Sequence, residues 1–256
     1  MSEFGDHVGA ALVTGGSGGI GMATALLLAA RGSDVVITYR SNEGAAQAAV
    51  QAIEGHGQRA LALALDLRDA EAAASTVEQA AQAMGGLHTL VHAAGPHIPQ
   101  QHLSKVSPAI YADALIEEAG GFFNVASPSL THLRHAQGSL VAITTAATQR
   151  YPVRDGLSSA TKGAIEQMVK AIAAEEGRYG VRANSVGPGM LTDGMAARLM
   201  ASGDLDEDAL AVTRANIPLR RFGTANDIAE AVCFLAGSRA GFISGQHLCV
   251  DGGYSV

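Results

Sequence analysis

The sequence predicts a single-domain α/β fold, a doubly wound parallel sheet of about seven strands with helices on both faces. Three observations lead there. Short apolar runs alternate with amphipathic stretches along the whole chain. The strand candidates read as largely continuous hydrophobic segments, as strands covered on both faces do. The first run passes into the first helical pattern through a glycine-rich loop, Thr14-Gly15-Gly16-Ser17-Gly18-Gly19-Ile20-Gly21.

The predicted strands are Ala10–Thr14, Asp34–Tyr39, Ala60–Asp66, Thr89–Ala93, Gly138–Thr144, Val181–Val186 and Gln246–Val250. The predicted helices are Ile20–Arg31, Gly44–His56, Ala70–Met84, Ser107–His135 with a break near Gly120-Gly121, Gly156–Gly177 and Ala225–Ala236. No linker or repeat divides the 256 residues, so they read as one domain, with residues 1–8 lacking periodicity and expected to be disordered. Met190–Asn216 interrupts the alternation and reads either as a substrate lid over the strand ends or as an ordinary surface helix pair.

Composition narrows the function. Apolar residues make up 48% of the chain, enough for a large core. The net charge of −7, without a long basic run, argues against a nucleic-acid partner. No apolar run reaches membrane-spanning length and no signal peptide is evident, so the expected location is the cytoplasm, with no membrane partner. Cys233 and Cys249 lack the spacing of a disulfide framework or a zinc site and read as core residues. No metal site is expected; His92, His97 and His102 follow the fourth strand without establishing a ligand geometry. His97 reads as a solvated loop residue or as a proton donor.

The loop between first strand and first helix is where chemistry begins. Glycines allow a tight turn and close approach of backbone to phosphate, and the helix N-terminus behind them favours a negative charge. A glycine-rich turn can also stand empty, but one at this place in a βαβ unit points to a dinucleotide. The end of the second strand, Tyr39-Arg40-Ser41, carries no carboxylate before Glu43. Arg40 offers a fork of donors for a 2′-phosphate, unless it is simply solvated, and so favours NADP(H) over NAD(H).

The loop spacing, His92-Ala-Ala-Gly95, Asn184-Ser-Val-Gly-Pro-Gly189 with Thr192, and Val250-Asp-Gly-Gly253 occur in one order along the chain. Together they resemble the short-chain dehydrogenase/reductase family over nearly its whole length. The resemblance implies a Rossmann fold and places the cofactor on Gly15, Ser17, Gly19, Ile20, Gly21, Arg40, Ser41, Asp66, Leu67, Ala93, Gly95, Lys162, Pro188, Gly189 and Thr192. Asp66 would meet the adenine amino group, or cap the next turn. The small-molecule substrate would be a carbonyl or enoyl compound, and family members usually form homotetramers.

The family's catalytic Tyr-x-x-x-Lys pair is altered. Ser158 stands at the tyrosine position, Lys162 at the lysine, and Thr145, thirteen residues before Ser158, at the usual serine. Glu118 falls where the family carries an active-site asparagine, and a buried pair of Glu118 with Lys162 is expected. An alkyl hydroxyl is a poor acid near neutral pH but still donates a hydrogen bond. The segments Ile143-Thr-Thr145 and Ser158–Lys162 resemble the 2,4-dienoyl-CoA reductase branch, whose additional tyrosine is Ala147 here. Tyr151 and Asp155 are substitute acids or ordinary loop residues. Two functions therefore stand: an NADP(H)-dependent oxidoreductase using Thr145, Ser158 and Lys162, or a dinucleotide-binding pseudoenzyme acting as sensor or partner subunit.

Overall fold

In the computed structural model, residues 3–96, 98–192 and 207–256 are described. In chain order they form β1 (Ala10–Thr14), α1 (Gly19–Ala30), β2 (Asp34–Tyr39), α2 (Glu43–Glu54), β3 (Ala60–Ala64), α3 (Ala70–Met84) and β4 (Leu87–His92). Then come α4 (Pro108–Leu115), α5 (Gly121–Ala136), β5 (Ser139–Ile143), α6 (Gly156–Glu176) and β6 (Arg182–Pro188). The chain closes with α7 (Glu207–Ala215), α8 (Ala225–Ala236) and β7 (His247–Val250).

The seven strands make one sheet in the order β3-β2-β1-β4-β5-β6-β7, every neighbouring pair parallel. Alternation along β1 sends Ala11 and Val13 to one face and Ala10 and Leu12 to the other. The first face packs on α1, α2 and α8 through Leu28, Ile53, Ile228 and Val232. The second packs on α3, α5 and α6 through Val77, Phe122, Val125, Ile165 and Val169. Strand order reverses between β1 and β4, which opens a crevice at their carboxyl ends.

The fold class and each predicted strand and helix are present, with ends shifted by a few residues. Two expectations need correction. The segment 107–135 is not interrupted at Gly120-Gly121; Ile116–Gly120 forms a π-helical turn that carries α4 into α5. A single wide turn adds a residue without ending the helix, which hydrophobic periodicity does not register. Residues 1–8 were expected to be disordered, yet from residue 3 the segment is tied down. Phe4 is 1% exposed, its N–H donates to the Arg31 carbonyl at 3.0 Å, and its ring stacks on His88. Glu3 pairs with Arg31 and Arg239. The possible lid at Met190–Asn216 lies largely outside the described residues, as does His97.

Candidate functional site

The loop after β1 is built for close approach. Gly15 has φ +67, and a Cβ there would lie 2.9 Å from the Ala94 Cα. At Gly21 a Cβ would lie 2.3 Å from the Gly15 carbonyl oxygen, so only glycine lets α1 enter this near the turn. Above Gly18 and Gly19, by contrast, a Cβ would meet nothing within 4 Å among the described residues. Gly18 is the N-cap of α1 and supplies no side chain to the first N–H groups. Ser17, Gly19 and Ile20 therefore surround open space at a positive helix end, and the residues present fit a pyrophosphate.

Behind the loop, Thr14 and His92 are register partners at the ends of β1 and β4. The Thr14 hydroxyl accepts from the Ala93 and Ala94 N–H groups at 3.2 and 3.3 Å and lies 3.1 Å from His92 Nδ1. With its acceptor capacity used, its proton is left for the ring nitrogen. Burial holds the His92 pKa down at about 3, so the ring is neutral and supports the crevice floor. Its edge contact with Phe122, at 5.2 Å between centroids, fixes it further.

Just past the end of β2, the Arg40 side chain is 63% exposed and its guanidinium lies 3.1 Å from Glu117. Ser41 is exposed beside it. Asp66 is held by Arg68, whose side-chain and backbone hydrogen bonds bring its pKa down to about 2. The Leu67 carbonyl accepts from the Asn124 amide at 2.8 Å, which anchors this loop to α5.

At the other end, Gly189 follows β6 and its N–H donates to Val250 at 3.1 Å. A Cβ on Gly189 would lie 2.7 Å from the Asp251 Cα, so Pro188-Gly189 runs tightly beside the terminal turn. Thr192 is pinned to the Gly223 carbonyl by its N–H at 2.8 Å and its hydroxyl at 3.3 Å.

Between these ends Lys162 and Glu118 are brought together. Lys162 Nζ lies 3.1 Å from Glu118 Oε1, the carboxylate 1% and the lysine side chain 17% exposed. The expected buried pair is present. Among the described residues Glu118 Oε2 has no hydrogen-bond partner, and burial raises the carboxyl's pKa against the pull of Lys162. Glu118 reaches this place from the π-helical turn, and a Cβ at Gly95 would lie 2.9 Å from its Oε1. The Thr145 hydroxyl accepts from the Ala147 N–H at 3.1 Å, which leaves its own proton to donate. Ser158 stands half-buried on α6, one turn before Lys162.

Asp155 occupies the N-cap position of α6 but makes no capping bond. Tyr151 is 67% exposed. Together with Leu103, His102 and Arg154 it lines a cleft of about 470 Å³ between the loops after β4 and β5.

Two features escaped the sequence. One is the π-helical turn that aims Glu118. The other is a polar knot behind β6, where His247 Nδ1 lies 3.0 Å from Ser185 Oγ and 3.5 Å from Glu166 Oε1. His247 Nε2 lies 3.4 Å from Cys249 Sγ. The alternation His247-x-Cys249 was the one available signal, since both must share a face. Cys233 is buried, as expected, and Cys249 is half-buried. Among the described residues no group of three or more His, Cys, Asp or Glu could hold a metal. No helix among them is long and apolar enough to cross a membrane.

Comparison with known proteins agrees with this geometry. Residues 15–255 match the family described as Enoyl-(Acyl carrier protein) reductase. The chain is 31% identical to L-rhamnose 1-dehydrogenase (NAD(P)(+)) of Sphingomonas sp. (strain SKA58), over 96% of this chain and 95% of that one. It is 32% identical to a 3-oxoacyl-(acyl-carrier-protein) reductase of Staphylococcus aureus, covering 95% and 96%. The structure of a short chain dehydrogenase from Burkholderia cenocepacia J2315 in complex with NADP superposes with a TM-score of 0.88 at 32% identity, covering 98% and 99%. Such matches, at this coverage and on this sheet order, show that the chain belongs to the short-chain dehydrogenase/reductase family of oxidoreductases.

Proposed function

We propose that this protein is an NADP(H)-dependent oxidoreductase that moves a hydride between the nicotinamide and a carbonyl or a conjugated enoyl group, with a centre that works without the usual tyrosine. The observation that carries this reading is the retained Lys162, fixed by Glu118 at the same carboxyl edge of the sheet as the open glycine cradle. When bound, the nicotinamide supplies the hydride. The α1 N-terminus and the loop N–H groups hold the pyrophosphate, and Arg40 holds the 2′-phosphate. Pro188, Gly189 and Thr192 shape the carboxamide end, and Asp66 and Leu67 border the adenine.

Lys162 binds the nicotinamide ribose. Thr145 and Ser158 donate hydrogen bonds to the substrate oxygen, stabilising the negative charge that develops there. Hydrogen bonds alone can stabilise an enolate, whereas an alkoxide needs a proton. On Thr145 and Ser158 alone, an acyl thioester bearing a conjugated double bond is favoured, and a ketone requires a further acid in the site. NADP in the Burkholderia structure supports the cofactor choice, although the Sphingomonas relative is named for both dinucleotides.

The test is purified protein with NADPH against panels of ketones and enoyl thioesters. Turnover on either panel supports the reading. A second reading, a dinucleotide-binding pseudoenzyme, draws on the missing phenol and on the carboxylate that engages Lys162. Tight NADPH binding with no turnover on any substrate would decide for it.

A further inference from the structure

A carbonyl reduction needs a proton, and most hydroxyls and cations at this centre cannot release one near neutral pH. Ser158 and Thr145 carry alkyl hydroxyls. Lys162 is engaged by Glu118, and Glu118 itself lies 2% exposed behind the lysine, away from solvent. Tyr151 stands out in the solvent. Asp155 differs from all of these. It precedes Ser158 by three residues and Lys162 by seven, the spacing that lines side chains along one helix face.

Three further observations bear on it. Its carboxylate makes no side-chain hydrogen bond among the described residues, although it sits where an aspartate ordinarily caps a helix. The preceding Arg154 has φ +78, a left-handed conformation costly for a residue with a Cβ, so the chain is bent sharply into this position. The flanking residues Arg154 and Gly156 line the cleft between the loops after β4 and β5. Asp155 itself is half-buried between these two and keeps access to water.

We propose that Asp155 is the proton donor of this centre, taking the part of the missing phenol. The inference rests on the oxidoreductase reading above. In the reduction the carbonyl carbon gains the hydride, and its π electron pair moves onto oxygen. The Asp155 O–H bond breaks as the product O–H forms. The reductant is the reduced nicotinamide dinucleotide, and the aspartate left behind regains its proton from water. Burial raises the Asp155 pKa while Lys162, the charge that reaches it, pulls the other way, so part of the population holds its proton above the ordinary aspartate range.

The experiment compares wild type, Asp155→Asn, Asp155→Glu and Tyr151→Phe on the best ketone of the panel. We expect Asp155→Asn to lower kcat by about 10²–10⁴-fold with the NADPH Kd unchanged, and Asp155→Glu to retain part of the rate. Carbon-13 NMR of the aspartate carboxyls should show a raised titration that vanishes in Asp155→Asn. Wild-type turnover that survives in Asp155→Asn, a loss confined to Tyr151→Phe, or an ordinary Asp155 titration each overturn the donor role and leave the reductase reading standing. Wild-type turnover confined to enoyl thioesters also overturns the donor role in carbonyl reduction, and no turnover on any substrate overturns both.

Discussion

The Glu118 carboxylate lies 3.1 Å from the Lys162 ammonium, and its second oxygen is buried without a partner among the described residues. The two ends of this pair are unequal. Glu118 is 1% exposed, so a charge stranded there finds no water, whereas Lys162 at 17% keeps some hydration. Removing one partner of a buried pair costs most when the charge left behind is the deeper one. We expect Lys162→Met to cost about 3 kcal/mol in urea denaturation at neutral pH, and Glu118→Gln about 1 kcal/mol or less. In Lys162→Met the folded carboxyl has its pKa raised above the unfolded value. The deficit should therefore shrink as pH falls and Glu118 takes up a proton.

Arg40 meets Glu117 in an exposed pair of the kind that contributes little and opens readily. Arg40→Ala should weaken NADPH about 10- to 100-fold, the worth of one charge-assisted contact, and leave NADH nearly unchanged. Isothermal titration with both dinucleotides checks this. Equal losses for the two would remove the 2′-phosphate role.

The first glycine loop leaves no room at Gly21. Gly21→Ala would set its methyl 2.3 Å from the Gly15 carbonyl oxygen, so α1 must move away from the turn. We expect NADPH binding to fall at least tenfold while the circular dichroism spectrum stays that of the folded protein. Unchanged affinity would detach the loop from the cofactor.

Two buried histidines set an acid limit on stability. Burial lowers His88 to about 4 and His92 to about 3, against 6.5 for the free side chain. Above pH 6.5 both states are neutral and nothing changes. Below it the unfolded chain binds protons that the folded one refuses, so stability falls as pH drops from 6.5 toward 4. A shift of this size makes the His88 contribution about 3 kcal/mol. Urea midpoints measured across that range should fall less steeply in His88→Asn than in wild type, with the His92 part remaining. The aspartates held low, Asp66 and Asp227, act in a separate window below pH 4.

The altered centre can also be tested by restoring what it lacks. Ser158→Tyr places a phenol one turn from Lys162 and should raise ketone turnover above wild type. In an Asp155→Asn background the same change should recover part of the lost rate.

How far these features could be read in advance depended on the range of the interactions behind them. β1 and β2 were legible to the residue, because each is a continuous apolar run ended by turn residues. The glycine cradle was equally plain, since Gly15 answers to its left-handed backbone and Gly21 to the nearby Gly15 carbonyl, although the approach of Ala94 to Gly15 was not readable. Lys162 with Glu118 was legible only through resemblance, for the two are far apart in sequence. The π-helical turn was not legible, because Ile116–Gly120 keeps helical periodicity while adding a residue per turn. Nor was the ordering of Phe4, whose burial depends on His88 and Arg31 arriving beside it. Asp155 was visible as a carboxylate near Ser158, but its uncapped, half-buried placement required the backbone bend at Arg154.

The central claim is hydride transfer by a centre without a tyrosine. The most direct measurement uses NADPH deuterated at the transferable position of its nicotinamide, incubated with protein and the ketone and enoyl thioester panels, with products weighed by mass spectrometry. We expect one deuterium in a reduced product, lost when Lys162 is replaced by Met. Bound NADPH that delivers no deuterium to any substrate would contradict the claim.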